Sequence, residues 1–161
     1  MIVIVMGVCG CGKTTVGEKL AAELGWPFRD ADEFHPPANV AKMSKSIPLT
    51  DEDRWPWLAA IRAYMEETQA KGGSAVVTCS ALKEIYREKL LQHEPWVKFV
   101  HVHGDPKVIR ERMQARKDHF MPTTLLDSQL SILELPRHAV TVDVAHEPAE
   151  QVRAARKALG V

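Results

Sequence analysis

The chain has 161 residues, 45% of them hydrophobic, which is enough for one domain with a buried core and needs no disulfide or metal staple. Lys plus Arg number 21 and Asp plus Glu number 21, so no overall field draws the protein to nucleic acid or to an anionic membrane. The expected partners are small molecules in the cytoplasm, because the apolar start MIVIVMG lacks the basic flank and cleavage pattern of a secretion signal and no run approaches the roughly 20 apolar residues of a membrane helix.

Short apolar runs alternate with longer amphipathic stretches, the pattern of βα units around a parallel sheet covered on both faces. Ile2 to Met6 reads as the first strand. A glycine-rich turn follows, then a helix from Lys13 with Val16, Leu20 and Leu24 on one face and Gly25 as its stop. Trp26 to Asp30 reads as the second strand, and a polar insertion runs from Phe34 to Asp53. Thr50 with Asp53 has the form of a capping box for a helix that buries Leu58, Ile61 and Met65 and ends at Gly72-Gly73; Pro56 is expected to kink it. Ser74 to Thr78 and Val97 to His103 read as further strands. Asp105-Pro106 supplies an N-cap and a first-turn proline for a helix burying Ile109 and Met113. A second polar insertion spans Arg116 to Thr124, Ala139 to Val144 reads as the last strand, and a final helix from near Pro148 carries Val152, Ala155 and Leu159 before Gly160. The expected fold class is α/β, in a single domain over residues 1–161.

Gly7-Val8-Cys9-Gly10-Cys11-Gly12-Lys13-Thr14 matches the phosphate-binding pattern G-x-x-x-x-G-K-[ST] between a strand and a helix, where its mechanism requires it. Gly7, Gly10 and Gly12 let the backbone turn its N–H groups, that of Cys11 among them, toward a phosphate at the positive end of the helix. Lys13 is placed at the β- and γ-phosphates of a nucleotide, the Thr14 hydroxyl on Mg²⁺, and Thr15 beside them. Cys9, Cys11 and Cys79 make an odd count without metal-site spacing and read as small buried thiols.

Phosphoryl transfer also needs a group on the metal side and one to orient the attacking hydroxyl. Asp30 and Asp32 flank Ala31 at the end of the second strand, and alternation along an extended segment would point both carboxylates at one site. Asp30 is assigned to the Mg²⁺ water shell and Asp32 to the acceptor hydroxyl as general base; either could instead be a loop carboxylate capping a helix near His35. The third strand ends Thr78-Cys79-Ser80 with no Walker-B acid, which shifts weight onto Asp30. Arg112 and Arg116 lie four apart on one helix face, with Lys117 and His119 next, and read as cations of a lid that shields the reacting phosphate, Arg116 at the chemistry and Arg112 nearer the nucleotide base. His101 and His103 share one side of a strand and, with no third ligand, read as structural.

The segment from Asp30 to Met43, DADEFHPPANVAKM, followed by PLTDEDRWPWL from Pro48 to Leu58, closely resembles the gluconate kinase signature. Two further blocks agree: Cys79 to Lys83 with Tyr86-Arg87, and His119-Phe120-Met121-Pro122 leading into Leu126, Ser128-Gln129 and Leu133-Glu134. The chain departs from the pattern in carrying Cys9 and Cys11 where serines are usual and Ser46 where glycine is usual. The resemblance implies the P-loop α/β/α fold shared with shikimate and nucleoside monophosphate kinases, with a five-stranded parallel sheet, a mobile lid over about 116–124, and a homodimer. It also implies ATP and Mg²⁺ as cofactors and gluconate as acceptor, phosphorylated on its 6-hydroxyl. A linear acid with five hydroxyls needs a cation and several polar contacts. Arg54 is the first choice for the carboxylate, with His35, Lys42, Ser80, Lys83 and Gln129 as further contacts, although Arg54 could simply pair with Asp51. Another small hydroxy acid or a nucleotide would need its own binding block where HPPANVAKM and DRWPWL stand. A guanine-nucleotide switch would need NKxD and DxxG motifs, and the sequence has neither.

Overall fold

The structure, a computed structural model, describes residues 1–116 and 123–161. Strands β1 (Ile2–Met6), β2 (Phe28–Asp30), β3 (Ala75–Thr78), β4 (Val97–His103) and β5 (Val140–Asp143) form one parallel sheet in the order β2-β3-β1-β4-β5. The helices are α1 (Lys13–Leu24), α2 (Pro37–Ser44), α3 (Asp51–Ala70), α4 (Glu84–Leu91), α5 (Pro106–Ala115), α6 (Thr123–Ile132) and α7 (Pro148–Leu159).

Strand alternation sorts the core into two layers. Ile2, Ile4 and Met6 face Leu58, Ile61 and Met65 of α3 and Leu90 of α4, while Val3 and Val5 face Val16 and Leu20 of α1, Ile109 of α5, Leu126 of α6 and Val152 of α7. All five β1 residues are fully buried, each worth roughly 1.5–3 kcal/mol of transfer energy, so the central strand outweighs any single cap or surface pair.

The expected stop and start signals act as read: Gly25 and Gly160 close α1 and α7 in the left-handed conformation, and Asp105 accepts from the Lys107 N–H. Four expectations are corrected or completed. The second strand begins at Phe28 rather than Trp26, since Pro27 has no N–H and contributes only its carbonyl, accepting from Val76 N at 2.9 Å. The insertion from Phe34 to Asp53 contains a helix, because Pro36 and Pro37 start α2 within it. The helix α3 runs unbroken through Pro56, whose missing N–H falls near the helix start, where the residue four back, Glu52, is exposed. Asp32 is not on an extended segment, because a 3-10 turn begins at Ala31. The residues 117–122, most of the expected lid, lie outside the described residues.

Candidate active site

The carboxyl ends of β1, β2 and β3 meet at a cleft of about 590 Å³, the position where open parallel sheets bind ligands. Cys9, Gly10, Gly12, Lys13, Thr14 and Thr15 line it on one side, Asp30 and Asp32 on a second, Thr78 and Ser80 on the floor, and Met113, Arg116 and Gln129 on the far side. Gly12 has φ 92 and is the N-cap of α1, so the first N–H groups of that helix open toward the cleft without a side chain in the way. Gly10 has φ 77, and a Cβ there would come within 2.3 Å of Met113 Cγ, so α5 presses directly on the loop. Lys13 Nζ donates back across the loop to Val8 O at 3.5 Å.

Both aspartates reach the cleft, by a local geometry different from strand alternation. Asp30 caps the 3-10 turn: its carboxylate accepts from Asp32 N at 2.9 Å while the Glu33 side chain accepts from Asp30 N at 3.1 Å. This leaves Asp32 pointing into the cavity with 84% of its side chain accessible. The concave walls still cost its charge solvation and the Asp30 carboxylate adds repulsion, so its pKa is raised above the usual carboxylate value. His35 lies 3.8 Å from Asp32, stacked on Trp57 at 4.4 Å between ring centres, with only 5% of its side chain exposed. Burial, reinforced by Arg54, outweighs Asp32 and lowers its pKa. Asn39 Nδ2 stands 3.2 Å from His35 Nδ1 and can only donate, so the ring is neutral with its Nε2 proton toward Asp32.

The other expected contacts divide into two groups. Ser80 and Gln129 line the cleft, and Gln129 Oε1 accepts from Cys9 N at 2.7 Å. Lys42, Arg54 and Lys83 do not line it and are held by protein partners: Lys42 pairs with Asp53 at 2.7 Å, and Arg54 donates to Leu49 O and to the Tyr86 hydroxyl. Lys83 and Tyr86 both donate to Asp51, whose pKa is lowered chiefly by the tyrosine, while Tyr86 is pushed up to about 12 by burial and then by that bond. Arg112 is exposed on α5 and is not part of the cleft wall; Arg116, at the C-cap, is. Buried Arg87 donates to Ala81 O and Glu134 O, fixing the segment that carries Ser80. Sequence reading missed Tyr86 and Asp51 as a linked pair and Thr78 as a cleft residue, although Thr78 stands at the strand end where the Walker-B acid was sought.

The three cysteines are buried thiols with raised pKa values, through desolvation first, Cys79 to about 12. His101 is buried beside His103, 4.8 Å between ring centres, and desolvation followed by that neighbour holds its pKa down to about 4. For Mg²⁺, which keeps several waters and takes one or two protein oxygens besides phosphates, Thr14 and Asp30 are a fitting donor set. The buried Thr78 hydroxyl supports the fit, since it is in register with Asp30 and has no hydrogen-bond partner among the described residues.

Residues 9–152 match the shikimate kinase family. Gluconokinase of Gluconobacter oxydans is 51% identical over 133 residues, 83% of this chain and 75% of that protein. The chain belongs to the gluconokinases of the shikimate kinase family. Thermosensitive gluconokinase of Escherichia coli is 42% identical over 160 residues, 97% of this chain and 86% of the relative. The crystal structure of a gluconokinase from Sinorhizobium meliloti superposes with a TM-score of 0.88 at 50% identity, covering 98% of this chain and 90% of that one. Membership fixes the fold as a P-loop kinase fold and the chemistry as ATP-dependent phosphoryl transfer. Among the described residues, no helix is long and apolar enough to cross a membrane.

Proposed function

We propose that this chain transfers the γ-phosphoryl group of ATP to the 6-hydroxyl of D-gluconate, giving 6-phosphogluconate and ADP. The observation that carries the reading is that the likeness to the Escherichia coli gluconokinase extends over 97% of this chain, so it includes the acceptor-side segments as well as the phosphate loop. Asp32 accepts the hydroxyl proton as the acceptor oxygen bonds to phosphorus and the bond to the bridging oxygen breaks, its electron pair leaving on ADP. Lys13 and Arg116 hold the charge of the transferring group, and the N–H groups from Gly10 to Thr15, in the turn that Gly7 opens, bind the phosphates. Mg²⁺ bound by Thr14 and, through water, Asp30 would neutralise charge between the β- and γ-phosphates. His35 orients Asp32, Ser80 contacts a hydroxyl, Lys42 reaches another by exchanging it for Asp53, and Arg54 with Lys83 receives the carboxylate by exchanging it for Asp51. The reading includes a single catalytic domain, a homodimer and a cytoplasmic location.

An ADP-release assay across gluconate, shikimate, glucose and AMP tests it. Turnover with gluconate well above the others is expected; activity with another acceptor and none with gluconate rejects the assignment and leaves a kinase of a different hydroxy acid.

A further inference from the structure

One peptide of the phosphate loop is held from both edges. The Val8 carbonyl accepts from Lys13 Nζ at 3.5 Å, and the N–H of the same peptide, on Cys9, donates to Gln129 Oε1 at 2.7 Å. The C=O and N–H of a trans peptide point in opposite directions, so the Lys13 ammonium and the Gln129 amide bracket a single plane of the loop. Gln129 reaches this position from α6, which is pinned by fully buried Leu126 and tied to α5 by the Arg110–Asp127 pair.

The bond assigns the two ends of the amide. With Oε1 bound to an N–H, the Nε2 group carries both donors, and neither meets a protein acceptor among the described residues. Gln129 lines the cleft together with Lys13 and Arg116, the groups assigned to the transferring phosphoryl, and with Asp32, the base assigned to the acceptor hydroxyl. The side chain could have been a stand-in for a phosphate oxygen, to be displaced by nucleotide. The loop argues against that: at the start of α1 the N–H groups of Lys13, Thr14 and Thr15 have no intrahelical partner, Val16 N being the first to bond back, to Gly12 O, and they are open to a phosphate, whereas Cys9 precedes them.

We propose that Gln129 is a phosphoryl-contacting residue: anchored through Oε1 to the loop, it donates from Nε2 to a γ-phosphate oxygen of the nucleoside triphosphate. This rests on the kinase reading above and replaces the acceptor contact expected for Gln129 from the sequence. In the transfer the acceptor O–P bond forms, the bridging P–O bond breaks with its electrons going to ADP, and the proton goes to Asp32; Gln129 exchanges no proton. A fixed neutral donor strengthens as charge spreads over the γ-oxygens, and it also ties α6, just beyond the lid segment, to the presence of that phosphate.

The test compares Gln129→Glu, which keeps the Oε1 acceptor and loses the donors, with Gln129→Leu, which loses both. ADP, the non-hydrolysable ATP analogue AMP-PNP and full kinetics are measured on each, with folding checked by thermal melts. Expected for Gln129→Glu are ADP affinity within about threefold of wild type, AMP-PNP affinity reduced about tenfold or more, and kcat reduced about 10²-fold, as for loss of one preorganised donor. Its deficit relative to wild type should shrink as pH falls from 8 to 5.5, because a protonated Glu regains an O–H donor. Gln129→Leu should lose kcat without that pH recovery. A Gln129→Glu enzyme with kcat within threefold of wild type overturns the proposal. So does a parallel fall in ADP affinity and kcat, which marks a structural role in the loop, or a raised acceptor KM at unchanged kcat, which returns Gln129 to the acceptor site. A wild-type protein active on a different acceptor rejects the gluconate assignment alone, while one that binds neither nucleotide rejects the kinase reading itself.

Discussion

Replacing Asp32 with Asn separates chemistry from binding and from stability at a single site. The carboxylate projects into the cleft, makes no hydrogen bond from its own oxygens to a protein donor among the described residues, and is approached by His35 only at 3.8 Å. Loss of a positioned general base costs on the order of 10²- to 10⁴-fold in rate, and 10²-fold corresponds to about 2.7 kcal/mol of transition-state stabilisation. ATP affinity should hold, because the phosphate-binding N–H groups belong to a different element. The stability effect has the opposite sign. A carboxyl whose folded pKa is raised binds protons more readily when folded, so its ionised form opposes folding; that penalty is present above the raised pKa and vanishes below the unfolded value near 4. Asp32→Asn should therefore melt at or above the wild-type temperature at pH 7 and converge with wild type in acid. In the wild type, kcat should rise with pH through the raised Asp32 pKa, and Asp30→Asn, by removing the neighbouring charge, should move that limb to lower pH. Coupled kinetics and calorimetry across pH check both. Wild-type turnover in Asp32→Asn, or a clear loss of stability at pH 7, would refute the reasoning.

Gly17→Ala should destabilise despite the better helix propensity of alanine. The added Cβ would stand 2.8 Å from Thr78 Cγ2 and 3.0 Å from Phe28 Cε2, and overpacking of this kind costs roughly 1–3 kcal/mol; a rise in melting temperature would show that the α1–β3 contact has room to spare. Thr78→Val removes a buried hydroxyl without a partner while keeping the shape, so the melting temperature should rise, by about 2–4 °C per kcal/mol for a domain of this size. If the hydroxyl serves the Mg²⁺ water shell, the same variant needs more Mg²⁺ for half-maximal turnover, and an unchanged Mg²⁺ requirement removes it from that role. Thr50→Ala breaks the capping box at the start of α3, worth about 1 kcal/mol, and should lower the melting temperature by a few degrees with kcat little changed. An unchanged melt would mean that packing alone sets that helix start.

How much of the site was legible follows from how local each signal is. The phosphate loop was readable because a turn that offers N–H groups to phosphate needs glycines at fixed places, and Gly10 and Gly12 adopt the positive φ that this demands. The helix boundaries at Gly25, Thr50, Asp105 and Gly160 were likewise written in a few adjacent residues. The short helices α2 and α4 were not, since eight residues give barely two turns of periodicity and their form depends on what they pack against.

The sequence by itself determined the alternation of strand and helix, the phosphate site and the family, because each rests on neighbouring residues or on a long stretch of shared ones. The tertiary structure decided what those residues touch. It showed that Asp30 caps the turn that aims Asp32, and that Arg54 and Lys83 are engaged with Asp51 and Tyr86. It also brought Gln129 to Cys9 across 120 positions of chain, a juxtaposition that depends on how α6 returns over the sheet and that no local pattern encodes.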